Sequence, residues 1–539
     1  MSENRRVEIY DTTLRDGAQA EGVSLSLEDK LLIAESLDSL GVDYIEGGYP
    51  LSNPKDEAFF RDVRGRGLKH ATPVAFGMTR RRGVSADEDA GMNALLAAET
   101  PVVTLVGKSW DMHVREVLRV SMDENVTMIA ESVDYLAGRG REVFFDAEHF
   151  FDGFKSNRDY ALETLRAAVE GGATRLVLCD TNGGALGEEV ADAVEAIRSE
   201  LGDVKLGIHC HNDAGVGVAN SLAAVRCGAV QVQGTVNGIG ERCGNADLTA
   251  VIPNLAVKYG YDCLREGTLK NLTEVSRFVY EVANLNLREN QPFVGAAAFA
   301  HKGGMHVHAV RRNATTYEHI EPETVGNTRR ILVSEVSGVS NIAAQAPQEF
   351  HIDQDKETQR KVLAKLMEME ADGYQFEAAE ASFNVLIRRI LGGKWYRKLW
   401  ELDHYRCVIF KQDAGQADTE AIVRLTVNGT QEHTVAAGDG PVDSLHKALC
   451  SALRPHYAHI DDLHLVDYKV RVVNTQAETA AKVRVVIDWH DACGEAYFGS
   501  VGVSENIIEA SWLALVDAVE YKLLKEPTGG DGRQEQSAR

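Results

Sequence analysis

The chain has 539 residues, long for one domain, so two or three domains are expected. A hydrophobic content of 44% and a charged content of 26% describe an ordinary globular protein. The formal net charge of -24 speaks against nucleic acid or an anionic membrane as main partner, although a local pocket can still be basic.

Eight cysteines are scattered with no Cys-x-x-Cys pair, which predicts reduced thiols rather than a disulfide framework or a zinc ribbon. The opening MSENRRVEIYDTTLRDG runs into a strand without the apolar core of a signal peptide, and no apolar run is long enough to span a membrane. A cytoplasmic location is the expectation.

Short apolar runs begin at Val7, Val42, Ala71, Pro101, Glu142, Arg175, Val204 and Val230. Helix-like stretches separate them, such as SLEDKLLIAESLDSLG, where Leu31, Ala34, Leu37 and Leu40 mark an apolar face and Gly41 a stop. Eight strand–helix alternations over about 260 residues predict a (β/α)8 TIM barrel of class α/β. The competing open doubly wound sheet would want Gly-x-Gly-x-x-Gly after its first strand, and none is there.

Barrels of this kind carry their chemistry at the carboxyl ends of the strands. Those ends hold Asp11, Arg15, Asp16, Glu46, Glu148, His149, Asp180, Thr181 and Asn182, then His209, His211, Asn212, Asp213, Asn237, Glu241, Arg242 and Asn245. Each Asp, Asn or Thr alone is as readily a helix cap. His209 and His211 are two apart in a strand, so both imidazoles point one way and Cys210 the other. The turn NGIGERCGN ends in Asn245, a further oxygen donor. Two imidazoles with oxygen donors suit a catalytic divalent cation better than a closed structural site.

After about residue 275 the texture changes. Residues 276–398 read as helical linker subdomains interrupted by the His-, Gly- and Arg-rich loop FAHKGGMHVHAVRRNATTYEH. Residues 399–526 alternate like strands, at YRCVIFKQD, AIVRLTVNG, DYKVRVVN and AKVRVVIDWHD, with two helix-like pieces, and predict a separate α+β domain. Asp443 and Ser504 are expected as helix caps. The polar tail, 527–539, is expected to be disordered. No internal repeat beyond the barrel units is visible.

Five ordered blocks carry a resemblance: DTTLRDGAQ at Asp11, CDTNGG at Cys179, HCHND at His209, NGIGERCGN at Asn237 and FAHKGGMHVHAV at Phe299. Together they resemble the isopropylmalate, homocitrate and citramalate synthase family. GDGPVDSLHKAL and GVSENIIEASWLAL are similar to that family's regulatory domain, and IEGGYPLSNPKDEAFF at Ile45 is most like its citramalate branch. The resemblance implies a transferase that joins acetyl-CoA to a 2-oxo acid, pyruvate in the citramalate branch and 2-oxoisovalerate in the isopropylmalate branch, and releases CoA by thioester hydrolysis.

It also implies roles. Asp16, His209, His211 and, more loosely, Asn245 would hold the metal, with Mg, Mn and Zn all compatible. Arg15 would bind substrate and stabilise the developing oxyanion; its bland alternative is an ion pair with Glu148 or Asp16. Thr181 would hold the oxo-acid carboxylate, against a reading as helix cap. Glu148 and His301 would share proton abstraction with Tyr317 nearby, His301 being favoured over His306 and His308 by its spacing to Met305. The post-barrel loop would reach over a neighbouring subunit, making a homodimer, and the last domain would bind isoleucine as feedback ligand. A metal-dependent hydrolase barrel also uses His-x-His, but after its first strand rather than its seventh.

Overall fold

Eight parallel strands close on themselves: β1 (Glu8–Asp11), β2 (Tyr44–Gly48), β3 (Thr72–Met78), β4 (Val102–Lys108), β5 (Glu142–Glu148), β6 (Arg175–Asp180), β7 (Leu206–Cys210) and β8 (Gln231–Gly234). The ring is completed by β1 pairing with β8 in the register Tyr10↔Gln233 and Asp11↔Gly234. The computed structural model describes residues 6–332, 350, 355–411, 417–473, 481–493 and 496–525; the expected disordered tail lies outside them. Among the described residues no helix is long and apolar enough to cross a membrane.

The expected (β/α)8 barrel is what the chain forms, and local chemistry explains its regularity. In the helix Leu27–Leu40, the Ser26 hydroxyl accepts the Asp29 N–H while the Asp29 carboxylate accepts the Ser26 N–H, a reciprocal cap. The helix ends at Gly41, whose φ of 90° is the left-handed turn that glycine adopts without strain. Its Leu31, Ala34, Leu37 and Leu40 are buried in the shell between strands and helices.

Inside the barrel, Tyr10, Val74, Val102 and Phe144 fill one layer. Two residues beyond Val102 and Phe144 the inward positions are polar and buried, Thr104 and Asp146, and Glu46, His209 and Gln233 join them from β2, β7 and β8.

The chain divides into two compact units, Met1–Phe299 with His319–Arg329 and Ala300–Glu318 with Arg330–Arg539. The stretch 276–398, expected as one linker region, is therefore shared between them. Its first part belongs to the barrel unit because Leu272, Val275 and Val279 of the helix Leu272–Val282 are buried in the barrel's shell. Asn237 also donates its side-chain N–H to the Ser276 carbonyl at 2.9 Å.

The second unit pairs β9 (Ala300–His301) with β10 (Arg330–Ile331). It then repeats one arrangement twice. Strands β11 (Glu401–Phe410), β12 (Asp418–Val427) and β13 (Thr430–Gly438) lead into the helix Pro441–Leu453. Strands β14 (Leu463–Val472), β15 (Val483–Asp491) and β16 (Ala496–Ser504) lead into the helix Ile507–Lys525. Alternate residues of the central strands, Ala421, Val423 and Leu425 in one and Val485, Ile487 and Trp489 in the other, are fully buried.

Each first strand carries a register shift at the same place, Leu402/His404 and Leu465/Asp467, followed by Tyr405 and Tyr468. The sequence hides this repeat because backbone pairing and burial parity, not residue identity, carry it. Of the expected caps, Asp443 is not the residue before its helix, a position Gly440 holds; it lies in the first turn and accepts the Asp439 N–H at 3.0 Å. Ser504 accepts the Asn506 N–H at 3.1 Å, and Asn506 in turn accepts the Ile508 N–H at 2.8 Å.

Candidate active site

Strand parity aims His209 and His211 into the barrel mouth, while Cys210 is sealed in the shell behind them. The two rings lie 5.3 Å apart between centroids. Asp16 reaches them from the turn after β1, where the N–H groups of Arg15, Asp16 and Gly17 all bond to the Thr12 carbonyl. Its Oδ2 stands 3.4 Å from His209 Nε2 and 3.8 Å from His211 Nε2. Asn245 comes from the loop after β8, which folds back on β7 through a bridge between His211 and Asn245. Its side-chain N–H donates to Asp16 Oδ1 at 3.2 Å.

Ligating atoms of Asp16, His209 and His211 lie within 4.8 Å of one another, all three residues buried. Two buried polar atoms beside them, His211 Nδ1 and Asn245 Oδ1, have no hydrogen-bond partner among the described residues. His209 is fixed differently: its Nδ1 faces Gln233 Oε1 at 3.0 Å, and the Gln233 amide N–H donates to Asp146 Oδ1 at 3.2 Å. An amide oxygen accepts only, so His209 Nδ1 carries a hydrogen and Nε2 is the ring nitrogen that faces Asp16; burial lowers the pKa of His209, but the Asp16 carboxylate more than offsets it.

Burial opposes ionisation of Asp16, but Arg15 and the two histidines more than offset it and hold the carboxyl well below its usual range. Burial, helped by His209, pushes His211 down to about 4, a neutral donor at pH 7. A carboxylate, two imidazoles and an amide oxygen are the donor set of a divalent cation with open positions.

Arg15 stands beside this set. Its Nε donates to Glu46 Oε2 at 2.6 Å, one terminal nitrogen lies 3.2 Å from Asp16 Oδ2, and its guanidinium lies 3.9 Å from the centroid of the Phe76 ring. The partner expected from sequence as an alternative to Asp16 was Glu148; the structure gives Glu46 instead. Glu148 is tied to Lys108, across the β4–β5 pair, where register sets the two side by side. Thr181 is not a helix cap, because the following helix starts at Gly187. Its hydroxyl oxygen accepts the His149 N–H at 2.8 Å, which leaves the hydroxyl hydrogen to donate elsewhere. The bland reading suits Asn212, which accepts the Gly217 N–H at a helix start, but not Asp180, which accepts the N–H groups of Gly184 and Ala185 in the loop ahead of the helix.

His301 and Tyr317 belong to the second unit. His301 is buried on β9 with Nε2 2.9 Å from Glu318 Oε1, and its carbonyl accepts the Leu332 N–H. Tyr317 stacks on His306 at 4.1 Å and is half exposed. Three supporting residues escaped the sequence reading in these roles. Gln233 was accessible in principle, being the register neighbour of His209 on β8. Glu46 and Glu318 find their partners through tertiary packing, for which no local pattern exists.

Comparison with known proteins bears on this geometry. Residues 6–279 match the HMGL-like family, residues 293–373 the homocitrate synthase post-HMGL domain-like family, and residues 377–523 the LeuA allosteric (dimerisation) domain. The chain is 51% identical to an (R)-citramalate synthase of Aquifex aeolicus, over 97% of this chain and 99% of that one. It is 49% identical to the (R)-citramalate synthase of Geobacter sulfurreducens, over 96% and 98%. A 2-isopropylmalate synthase of Pyrococcus furiosus is 33% identical over 96% and 99%. With the barrel, the post-barrel segment and the last domain all matched in order, the chain belongs to the (R)-citramalate synthase family of acyltransferases.

Proposed function

We propose that this enzyme condenses acetyl-CoA with pyruvate and hydrolyses the thioester to give (R)-citramalate and CoA. The buried Asp16–His209–His211 set with Arg15 alongside is the observation that carries the reading, because it can organise a 2-oxo acid and its developing oxyanion in one place. A divalent cation held there would supply Lewis acidity toward the ketone.

The chain's own groups do the rest. Arg15, fixed by Glu46, presents its remaining N–H groups where negative charge grows on the ketone oxygen as the new carbon–carbon bond forms. The Thr181 hydroxyl hydrogen is available to the pyruvate carboxylate. His301, oriented by Glu318 and acting with Glu148, takes a proton from the acetyl methyl group, with Tyr317 closing over it. Water then cleaves the thioester, its oxygen joining the acyl carbon as the thiol leaves.

In this reading the second unit makes the homodimer and binds isoleucine. The edge strands β11 and β14 support assembly, since they expose Ile409, Phe410, Val466 and Val472. The test is release of free CoA thiol from acetyl-CoA with pyruvate, 2-oxoisovalerate or neither. Pyruvate should be favoured by roughly 10²-fold in kcat/KM, as a pocket cut to a methyl group allows. Release that is no faster with pyruvate than without it overturns the proposal.

A further inference from the structure

Beside the metal set, the loops that follow β6, β7 and β8 are joined by a side chain outside it, Arg242. Its Nε donates to Asp213 Oδ1 and one terminal nitrogen to Asp213 Oδ2, both at 2.9 Å, the paired geometry in which guanidinium matches carboxylate. That same terminal nitrogen also donates to the Thr181 carbonyl, at 2.7 Å. An isolated ion pair this exposed would stabilise little, because water screens it. Here the pair fixes a backbone carbonyl on a third loop, so its effect is on position rather than on stability.

Backbone contacts leave this latch little freedom. The Asn212 N–H bonds to the Gly244 carbonyl and the Ala214 N–H to the Gly183 carbonyl, each at 2.9 Å, so the β7 loop is stitched to both neighbours. Gly183, with a φ of 63°, leaves the space for it: a Cβ there would stand 2.4 Å from Asp213 Oδ2. Arg242 itself has a φ of 58°, in the left-handed region that few non-glycine residues adopt, and from there its side chain reaches both Asp213 and Thr181.

Thr181 is thereby held at two points. Its hydroxyl oxygen accepts the N–H of His149, the residue after β5, at 2.8 Å, and its carbonyl accepts from Arg242. With both acceptors engaged, neither the side chain nor the peptide that follows it can turn without breaking a hydrogen bond. The hydroxyl hydrogen is left to point away from the His149 N–H. A misplacement of about 1 Å in such a group can cost about 10²-fold in rate.

We infer that Arg242, aimed by Asp213, is a positioning residue for the oxo-acid carboxylate: it sets the Thr181 hydroxyl where that carboxylate binds, and touches neither the substrate nor a reacting atom. The inference rests on the reading that Thr181 holds the carboxylate of the 2-oxo acid. A plain attraction between the Arg242 cation and the anionic substrate makes the opposite demand on Asp213. Removing that carboxylate would then strengthen binding, whereas in a latch it weakens binding.

The experiment measures pyruvate binding by titration calorimetry on the full-length Mn²⁺-loaded protein, without acetyl-CoA, for wild type, T181A, R242A, D213A and T181A/R242A. T181A and R242A should each raise the Kd about tenfold, and D213A should raise it too. The double variant should bind no worse than T181A alone, because Arg242 acts through Thr181. In turnover, R242A should raise KM for pyruvate and leave KM for acetyl-CoA unchanged. A loss in R242A that recurs in full on the T181A background overturns the inference, as does tighter binding in D213A or an unchanged Kd in R242A. Asn245 lies three residues beyond Arg242, so Mn²⁺ affinity is measured alongside. A fall there as large as the loss of pyruvate assigns Arg242 to the metal loop and also overturns the inference. An unchanged Kd in T181A overturns the reading of Thr181 itself, and this inference with it.

Discussion

Arg15 and Glu46 are joined Nε to Oε2 at 2.6 Å, and the second oxygen of the fully buried Glu46 takes the Tyr10 hydroxyl at 2.9 Å. The arginine is thus held from beneath by an acid that cannot relax into water. Arg15→Lys keeps the charge but loses the planar fork that spans Glu46 and Asp16. It should lower kcat by about 10²–10³ while leaving the fold intact, read by steady-state kinetics and circular dichroism. Glu46→Gln should cost activity and also about 3 kcal/mol of stability, since it strands a buried cation. A melting temperature unchanged in Glu46→Gln would count against that account.

Gln233 sets the tautomer of His209 from the neighbouring strand. Gln233→Leu preserves size and removes the acceptor, so the His209 ring is no longer held with Nε2 toward Asp16. Affinity for Mn²⁺, measured by titration calorimetry on the metal-stripped protein, should fall roughly 10–100-fold. Full activity after chelation, or equal affinity in the variant, would remove the cation from the proposal.

His301 and Glu318 form a buried imidazole–carboxylate pair in the second unit. Glu318→Gln should lower kcat more than KM, because the carboxylate no longer orients the imidazole. If the loop of one subunit serves the barrel of another, mixing Arg15→Ala and His301→Ala chains after joint refolding restores activity that neither has alone. Mixtures as inactive as their parts would show that each chain uses its own loop.

Asp517 titrates in a useful range. It is buried against Arg389 at 3.0 Å, and Glu520 shares the same guanidinium at 2.9 Å. Burial pushes Asp517 from 3.8 up to about 6, with Arg389 only partly opposing it. The folded state therefore keeps a proton that the unfolded chain releases near pH 4, so stability falls as pH rises from about 4 to 6, by roughly 3 kcal/mol in the limit. Thermal unfolding across that window should show a slope of this sign, to which Asp11 and Asp146, pushed by burial up to about 7, also contribute, and Asp517→Asn should reduce it. A slope of the opposite sign would place the missing proton elsewhere.

The barrel was legible because parallel strands buried on both faces read as short apolar runs, as LVLC within β6 does, with every residue of the strand buried. The parity of His209 and His211 followed from strand geometry alone. The two-residue strands β9 and β10 went unread, and two strands of the last domain did so for physical reasons. β13, TQEHTVAAG, buries no side chain fully and so lacks an apolar signature, and β16, AYFGSVGVS, is built from small residues that pack closely under a helix. In the site, side chains that act singly were visible, and their partners were not. Glu46 and Gln233 are ordinary residues until the ring closes, and Thr181 looked like a cap because a Thr before GGALGEE reads as one, although the helix begins six residues later.

That closure has a consequence for how the protein holds together. Asp16 follows the first strand, His209 and His211 lie on and just beyond the seventh, and Asn245, 229 residues from Asp16, follows the eighth. The set straddles the seam where the two ends of the sheet meet, so no partly wound chain contains it. A cation bound there would act as a clasp: opening the seam must first release it, at a cost of roughly 2.7 kcal/mol when its concentration is a hundred times its Kd. The enzyme's capacity for catalysis and the integrity of its ring would then rise and fall together with the supply of metal.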